Sequence, residues 1–308
     1  MTANKPKITV VGSSNMDLVV KSERIPVTGE TILGGDFVMV PGGKGANQAV
    51  AAAKLGADVF FIAKLGEDIF GSQSLSNFKK VGINTTYVTQ TKQAPSGVAL
   101  INIDNNGNNI IIVAPGANGI LSPDDVKQAE PDIASSGALV AQLEIPLKTV
   151  EFAAEIAHKH NVPFILDPAP AQQLSAQLLS IVDVLTPNET EAQLLTGIEV
   201  KDQDSALAAS KKMLESGIKA VILTMGAGGF LLAEGDQTKF VPAKKVNPVD
   251  STAAGDVFTG SLATELAAGK TLLDAALFAN HAAALSVTKI GAQSSIPALD
   301  EVKDFMKD

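Results

Sequence analysis

The stretch ALVAQLEIPLKTVEFAAEIAHKHNVPFILDPAP, residues 138–170, decides the fold class of this protein. It begins with a short apolar run, ALVAQL (138–143), which is followed by a segment of helical periodicity and a second apolar run, VPFIL (162–166). Two buried strands joined by a helix are typical of a βαβ unit with parallel strands. The same alternation recurs at ITVV (8–11), VFFIA (59–63), DVLT (183–186) and AVILT (220–224). We therefore predict an α/β fold with a doubly wound, mainly parallel sheet flanked by helices.

Two segments depart from this alternation, TILGGDFVMV (31–40) and GVALINIDNNGNNIIIVA (97–114). The second has the pattern of a hairpin that turns on Asn-Asn-Gly-Asn, with no crossover helix between its halves. We expect it to lie outside the parallel sheet, in a small β-sheet lid over the ligand edge with strands from about 14–40 and 97–114. An ordinary surface hairpin explains the same pattern. No linker or internal repeat divides the chain, so residues 1–308 are predicted to form a single domain.

The composition excludes several classes of function. Lys and Arg number 24 against 33 Asp and Glu, a net charge of −9 that argues against a nucleic-acid partner. The absence of cysteine excludes disulfides, thiolate nucleophiles and cysteine zinc sites. Residues 1–7 lack the apolar region of a signal peptide, and no run reaches the ~18 apolar residues of a membrane span. We expect a cytoplasmic protein without a membrane partner.

Parallel sheets bind ligands at the carboxyl ends of their strands, and VVGSSNMD (10–17) follows the first predicted strand. Asn15 and Asp17 suit the paired hydroxyls of a polyol, although a turn with Asx caps explains them as well. The stretch lacks G-x-G-x-x-G, which weakens a dinucleotide-binding interpretation.

The stretch PGGKGANQAVAAAKLG (41–56) places three glycines around Lys44 at the start of a predicted helix, with Asn47 in its first turn. Glycines let the backbone approach a ligand closely, and a helix N-terminus attracts anions. A plain helix cap needs only one glycine, so the pattern favours an anion or small-ligand site.

Asp256 is the acidic residue that the pattern singles out within DSTAAGDVFTG (250–260). Ala253, Ala254 and Gly255 precede it and leave the amides of the helix N-terminus open, which favours an anion hole. Phosphoryl transfer needs such charge stabilisation and a residue that orients the nucleophile. The competing interpretation is an aspartate that only stabilises the helix dipole.

The stretch TPNETEAQLLTG (186–197) places Asn188 and Glu191 three residues apart at a predicted helix start. A capping box explains this spacing without a ligand. A hydrated Mg²⁺, which takes few carboxylates, explains it equally.

The chain resembles the ribokinase family of ATP-dependent sugar and nucleoside kinases over nearly its whole length. The resemblance rests on motifs in the family's order: GSSNMD, PGGKGANQAVAAAKLG, QLEIP, DPAP, TPNETE, TMGAGG and DSTAAGDVFTG. The lysine of PGGKGANQA resembles ribokinases more than fructokinases or adenosine kinases. This resemblance implies an enzyme, a transferase of carbohydrate metabolism that phosphorylates D-ribose at its 5-hydroxyl with ATP by direct in-line transfer.

The resemblance also implies roles for individual residues. Asp256 would be the base that accepts the proton of the 5-hydroxyl, beside an anion hole formed by the amides of Ala253, Ala254 and Gly255. Sugar contacts would come from Asn15, Met16, Asp17, Gly43, Lys44, Gly45, Asn47, Glu144 and Asp256. Nucleotide contacts would come from Asn188, Thr224, Gly226, Ala227, Gly228, Gly229, Gly255 and Asn280.

Two cations and a second subunit are implied in the same way. Mg²⁺ would be linked to Asn188 and Glu191. K⁺, as a monovalent activator, would lie near Asp250, Thr252, Ser286, Lys289, Gly291 and Ser295, partly through backbone carbonyls. The β lid of such kinases commonly completes a homodimer.

Three alternatives remain open. A sister kinase would act on deoxyribose, another sugar or a nucleoside. A non-catalytic sugar sensor would keep the fold without turnover, but Asp256, the AAG run and Lys44 argue against it. A Rossmann oxidoreductase is weakened by the missing glycine fingerprint.

Overall fold

The fold is described from a computed structural model, in which residues 5–307 are placed well enough to describe. The strands are β1 (Lys7–Val11), β2 (Asn15–Lys21), β3 (Phe37–Gly42), β4 (Asp58–Gly66), β5 (Val88–Thr91), β6 (Gly97–Ile103), β7 (Asn109–Ala114), β8 (Ala138–Ala141), β9 (Phe164–Leu166), β10 (Val184–Leu185), β11 (Ala220–Thr224), β12 (Phe230–Glu234) and β13 (Gln237–Val241).

The helices are α1 (Lys44–Lys54), α2 (Ile69–Val81), α3 (Pro123–Lys127), α4 (Glu130–Ala134), α5 (Leu147–Lys159), α6 (Ala176–Ser180), α7 (Glu189–Thr196), α8 (Gln203–Leu214), α9 (Ala254–Ala267), α10 (Leu272–Ser286), α11 (Ala292–Ser295) and α12 (Leu299–Phe305). Two 3₁₀ turns lie at Gly116–Ile120 and Gly226–Gly228. Within residues 5–307, no helix combines the length and the hydrophobicity needed to cross a bilayer.

Nine strands form the main sheet, in the order β13-β12-β11-β10-β9-β8-β1-β4-β5. In this spatial order, the strands from β11 through β10, β9, β8, β1 and β4 to β5 all pair in parallel. At the other end of the sheet, β12 pairs antiparallel with both β11 and β13. The six predicted apolar runs coincide with β1, β4, β8, β9, β10 and β11. The predicted doubly wound fold is therefore confirmed, with an antiparallel hairpin that the apolar runs did not predict.

Successive residues of the central strands are buried alternately in two separate cores, one on each face of the sheet. Val10 and Ile165 pack in the core beneath α1, α2, α9 and α10. Val11 and Leu166 pack in the opposite core with α3 to α8. Because successive side chains of a strand point to opposite faces, a strand buried on both faces must be apolar throughout. This burial explains why the runs are continuous rather than alternating.

Four strands form a second, smaller sheet in the order β3-β2-β6-β7, and we call it the small sheet. β6 and β7 make the predicted hairpin, but β6 pairs in parallel with β2 over Asn15–Lys21. As predicted, the hairpin lies outside the main parallel sheet, although the sequence pattern did not predict its parallel pairing with β2. The predicted strand at 31–40 was also too long, since β3 begins only at Phe37. Gly34, Gly35 and Asp36 precede it, residue types with low strand propensity.

Candidate active site

A cleft open to solvent lies at the carboxyl edge of the main sheet. Its lining residues are Lys44, Asp167, Thr186, Asn188, Glu191, Thr224, Gly255, Phe258 and Thr259. They lie at or just after the ends of β9, β10 and β11, or in the first two turns of α1, α7 and α9. Because parallel strands end at the same edge, residues far apart in the sequence meet here.

The N-terminus of α9 opens into this cleft. The helix begins after Ala253, whose φ of 62° lies in the left-handed region, uncommon for a residue with a side chain. A Cβ added at Gly255 would meet no atom within 4 Å. Within the described chain, the amides of Gly255 and Asp256 donate to no protein acceptor. Two free amides and the positive end of the helix dipole thus face the cleft, as an anion-binding site requires.

The carboxylate of Asp256 is buried, with only 5 % of the residue exposed, and it lies beside these amides. Nδ2 of Asn47 donates to its Oδ2 at 2.8 Å, and Nε2 of Gln48 donates to its Oδ1 at 3.1 Å. Burial raises the pKa of Asp256 above its ordinary value, while the charge of Lys44 and the two hydrogen bonds oppose that rise. A carboxylate that is fixed in place and more basic than usual suits a proton acceptor.

The N-terminus of α1 differs from that of α9 because its amides already donate hydrogen bonds to protein acceptors. The amide of Lys44 donates to Oε2 of Glu144 at 3.1 Å, and that of Gly45 donates to Oγ of Ser13 at 3.3 Å. The amide of Ala46 donates to the carbonyl of Ser13 at 2.8 Å. The predicted anion or small-ligand site at this glycine-rich start therefore cannot use these three backbone amides. The side chain of Lys44 is available to the cleft, which this residue lines.

Lys44 carries the positive charge of the site. Its Nζ lies 3.7 Å from Oδ2 of Asp167. Burial alone would lower the pKa of Lys44, but the negative charges of Asp167, Asp256, Glu144 and Glu191 raise it above its ordinary value. The ammonium therefore remains charged at neutral pH and can attract an anionic ligand.

The candidate sugar residues of β2 lie where the small sheet meets the main sheet. Nδ2 of Asn118 donates to Oδ1 of Asn15 at 2.8 Å, which leaves the amide group of Asn15 available as a donor. Met16, next to it, is buried. Burial, with the charges of Glu144 and Asp256, raises the pKa of Asp17 to about 7.

Glycine is required at two of the neighbouring positions. A Cβ on Gly43, where φ is +89°, would lie 2.6 Å from the backbone nitrogen of Asn15. A Cβ on Gly97 would lie 2.3 Å from Oδ1 of Asn15. The backbone therefore encloses Asn15 more closely than any larger residue at these positions would allow.

The candidate nucleotide residues form a second group. Asn188 and Glu191 make a complete capping box at the start of α7, and the side chains of both line the cleft. Thr224 pairs with Asn188 in an isolated parallel bridge, and the turn Gly226–Gly229, with Ala227 and Gly228, follows it directly. Asn280 lies apart from the residues that line the cleft, and its Nδ2 donates to the carbonyl of Pro242 at 3.0 Å.

The candidate potassium residues are only partly brought together. Oδ1 of Asp250 accepts from Thr252, and Oδ2 accepts from the amide of Gly291 at 2.8 Å, which joins the two loops. The hydroxyls of Ser286 and Ser295 instead donate to carbonyls within their own segments. Lys289 pairs with Glu301 at 2.7 Å. Each of these last three side chains therefore already has a protein partner of its own.

Sequence reasoning assigned no individual role to several polar residues that the structure connects to the candidate site residues: Ser13, Gln48, Asn118, Gln142 and Asp167. Asp167 follows the strand VPFIL directly, so its position at a carboxyl end was a usable signal. Gln48 and Gln142 gave no local signal. Gln48 lies in an alanine-rich helix and Gln142 follows a strand, and in neither place do the neighbouring residues show whether a glutamine is buried or exposed.

Comparisons with known proteins agree with this geometry. A family model described as pfkB family carbohydrate kinase matches residues 5–299. A ribokinase of Haemophilus influenzae is 45% identical over 300 residues, which covers 97% of this chain and 98% of that protein. A deoxyribokinase of Salmonella typhi is 40% identical over the same length, with 97% and 98% covered. The structure of Arabidopsis thaliana ribokinase complexed with ribose and ATP matches with a TM-score of 0.92 at 33% identity, covering 99% of this chain and 100% of that one. The chain belongs to the pfkB family of carbohydrate kinases.

Proposed function

We propose that this chain phosphorylates D-ribose at its 5-hydroxyl with ATP, which makes it an enzyme of ribose catabolism. The observation that carries the proposal is the pair of free amides at the start of α9 beside the buried carboxylate of Asp256. The sugar named in the Arabidopsis complex and the name of the Haemophilus relative support ribose as the substrate.

The chemistry assigns one role to each part of the site. The oxygen of the 5-hydroxyl attacks the γ-phosphorus of ATP, its proton passes to Asp256, and the bond between that phosphorus and the β,γ-bridging oxygen breaks to release ADP. The amides of Gly255 and Asp256 stabilise the charge on the transferring phosphoryl group. Lys44 adds a positive charge to the same cleft.

An unpaired buried atom supports a ligand hydroxyl next to Asp256. Oδ1 of Asn47 is buried without a hydrogen-bond partner, while Nδ2 of the same side chain donates to Asp256. A buried acceptor without a donor costs about 1–3 kcal/mol. A sugar hydroxyl that donates to this oxygen would remove that cost, so the apo site is complementary to a polyol.

The residues of the cleft fit a magnesium ion that arrives with ATP. Among the described residues, no group of three or more histidine, aspartate or glutamate side chains is arranged to hold a metal. Mg²⁺ retains several waters and needs one or two carboxylates besides phosphate oxygens, which Glu191 supplies with Asn188 beside it. When bound, the ion would neutralise charge on the nucleotide phosphates.

The loops that contain Asp250 and Gly291 fit a monovalent cation next to the start of α9. Their hydrogen bond joins them, and the carbonyls of both loops supply the oxygen ligands that K⁺ prefers. A bound K⁺ would hold the loop that precedes the anion hole. Replacement of K⁺ by Na⁺ in the kinase assay is expected to lower the rate.

A substrate panel tests the function. With ATP, Mg²⁺ and K⁺, ADP release with ribose is expected to be far faster than with fructose or adenosine. We also expect kcat/KM for ribose to exceed that for 2-deoxyribose by about tenfold or more, since a site built to bind a hydroxyl rejects a substrate without it. The Salmonella relative makes 2-deoxyribose the decisive comparison. Equal rates on fructose or adenosine would contradict the ribose assignment, and ribose binding without ADP release would favour a sensor.

The raised pKa of Asp17 predicts how ribose binding depends on pH. Ionised Asp17 accepts hydrogen bonds from sugar hydroxyls, and protonation removes one of its acceptors. Because its pKa is about 7, the KM for ribose is expected to rise as pH falls below 7, up to about tenfold per pH unit. Steady-state kinetics between pH 5.5 and 8.5 measure this. The Asp17→Asn variant should have a high KM without that pH dependence, and an identical rise in the variant would contradict the prediction.

We propose that the small sheet belongs to the same domain, covers the cleft as a lid and forms a homodimer interface. Consecutive residues of β3 and β7 are exposed, so both faces of the sheet present apolar side chains. One face can cover the cleft while the other meets a second subunit. The exposed residues are Phe37, Val38, Met39, Leu100, Ile110, Ile111, Ile112 and Val113.

The oligomeric state tests this interface. Ile112 is 61 % exposed, and Ile112→Lys is expected to convert a dimer into a monomer in sedimentation experiments, because a buried unpaired charge opposes association. Ile69→Lys, at a similarly exposed isoleucine on α2 (66 %), is the matched control and should leave the dimer intact. A monomeric wild-type protein would contradict the homodimer.

The use of ATP favours a cytoplasmic location.

A further inference from the structure

Two buried glutamines lie behind the proposed base, and the reaction described above assigns them no role. Gln48 on α1 and Gln142 after β8 are both fully buried, at 0 % exposure. Nε2 of Gln48 donates to Oδ2 of Asp167 at 2.8 Å and to Oδ1 of Asp256 at 3.1 Å. Its Oε1 accepts from Nε2 of Gln142 at 2.6 Å. These contacts form one continuous chain of hydrogen bonds from the end of β8 to the carboxylate of Asp256.

The two carboxylates determine the orientation of both amides. An ionised carboxylate only accepts hydrogen bonds, so Gln48 must direct its NH₂ group toward Asp167 and Asp256. Its oxygen then faces Gln142, which must in turn direct its own NH₂ group toward Gln48. If Gln142 presented its oxygen, either two amide oxygens would face each other or Gln48 would turn its oxygen toward the two acids.

The orientation of Gln142 leaves its own side-chain oxygen without a hydrogen bond. Oε1 of Gln142 is buried without a hydrogen-bond partner. It is packed so tightly against Gly12 that a Cβ there would lie 2.1 Å from it. An unpaired buried oxygen destabilises the fold, which offsets the gain from the hydrogen bond to Gln48. The contact therefore adds little stability, and its main consequence is the orientation of Gln48.

We propose that Gln142 is a positioning residue that, through Gln48, holds the carboxylate of Asp256 in the orientation that accepts the proton of the sugar hydroxyl. The proposal rests on the proposed function, because it concerns the same base. Asn47 holds Oδ2 of Asp256 and Gln48 holds Oδ1, so the carboxylate cannot rotate. Its remaining lone pairs then point in fixed directions. A displacement of 1 Å in such a site can reduce the rate about 100-fold.

The loss of the donor from Gln48 also changes the pH dependence of the reaction. The base must be ionised to act, and a hydrogen bond to the ionised form lowers the pKa of Asp256. Removal of that bond raises the pKa, so the pH below which kcat falls moves upward. The other charged groups around the base stay in place in each variant: Asp17 of β2, Lys44 of α1, Glu144 after β8, Asp167 after β9 and Glu191 of α7.

The test uses Gln48→Met, Gln142→Met and the double variant, since methionine resembles glutamine in size but neither donates nor accepts strongly. We expect Gln48→Met to lower kcat about 10- to 100-fold with little change in the KM for ribose. Gln142→Met should also lower kcat and move the acid limb of its pH profile upward. The double variant should be no slower than Gln48→Met, because Gln142 acts only through Gln48.

The outcomes are distinguishable from each other. If the two single effects multiply in the double variant, or if Gln142→Met keeps the wild-type kcat and acid limb, the positioning role is wrong. If Gln48→Met does not fold, as judged by thermal unfolding, the pH profile of Gln142→Met decides by itself, because Gln142 is hydrogen-bonded to Gln48 and not to Asp256. A wild-type protein without kinase activity on any sugar would overturn the proposed function as well, whereas active wild type with unaffected variants overturns only this inference.

Discussion

The Asp256→Asn variant is expected to bind ribose but to lose a factor of ~10²–10⁴ in kcat, the contribution of a single positioned base. Asparagine keeps the size of the side chain but cannot take the proton of the 5-hydroxyl. It also presents an NH₂ group to Asn47 or Gln48, where the carboxylate accepts two hydrogen bonds. Turnover is measured by ADP release and ribose affinity by calorimetry.

A matched control separates catalysis from the helix dipole. Asp274 occupies the first turn of α10, as Asp256 does in α9, but it is exposed, and its Oδ2 accepts from the hydroxyl of the cap residue Thr271 at 2.7 Å. Asp274→Asn therefore removes the dipole interaction, worth about 0.3–1 kcal/mol, without affecting the cleft. It should reduce thermal stability slightly and leave kcat unchanged. If Asp256→Asn also retained wild-type turnover, Asp256 would have to be removed from the mechanism.

Gly45→Ala is expected to be strongly destabilising, although it adds only one methyl group to a helix. Gly45 lies in α1, where helix propensity alone predicts that alanine stabilises the protein by about 1 kcal/mol. The added Cβ would, however, lie 2.6 Å from the Cα of Gly12 and from the amide of Ser13. Backbone atoms cannot move aside as a flexible side chain can. We therefore expect a net loss of stability of roughly 1–3 kcal/mol.

The same substitution should weaken ribose binding, because the separation of α1 from β1 moves Lys44 and Asn47 together. Thermal unfolding and ribose calorimetry measure the two effects. Gly119→Ala is the control, since a Cβ there would meet only Pro115, at 3.7 Å, an ordinary contact. Unchanged or increased stability of Gly45→Ala would contradict the close approach of α1 and β1.

Local sequence patterns predicted much of the fold because they report how a segment is buried. Six apolar runs predicted six strands of the main sheet. A strand that helices cover on both faces has no solvent-exposed side, so its residues are apolar throughout instead of alternating between apolar and polar. The run of small residues before Asp256 likewise predicted an open helix start, because side-chain size is a local property. The extent of β3 was less predictable, since its first residues are weak strand formers.

The capping box of Asn188 and Glu191 shows how a local pattern can leave two interpretations open. The structure contains the box, yet both side chains also line the cleft. The three-residue spacing of Asn188 and Glu191 therefore predicted the helix start. That the two residues also line a cleft depends on the end of β11, where Thr224 pairs with Asn188.

The sequence by itself determined the order of strands and helices, the open start of α9 and the family resemblance, all of which depend on residues near each other in the chain. Only the tertiary structure decided which polar groups meet: Asn47 reaches Asp256 across 209 positions, Ser13 reaches Glu144 across 131, and Gln48 reaches Gln142 across 94. The physical reason is that such contacts follow from how strands of the sheet are arranged side by side. That arrangement leaves no periodicity in the chain, so a buried glutamine that orients a carboxylate becomes visible only when the fold places them together.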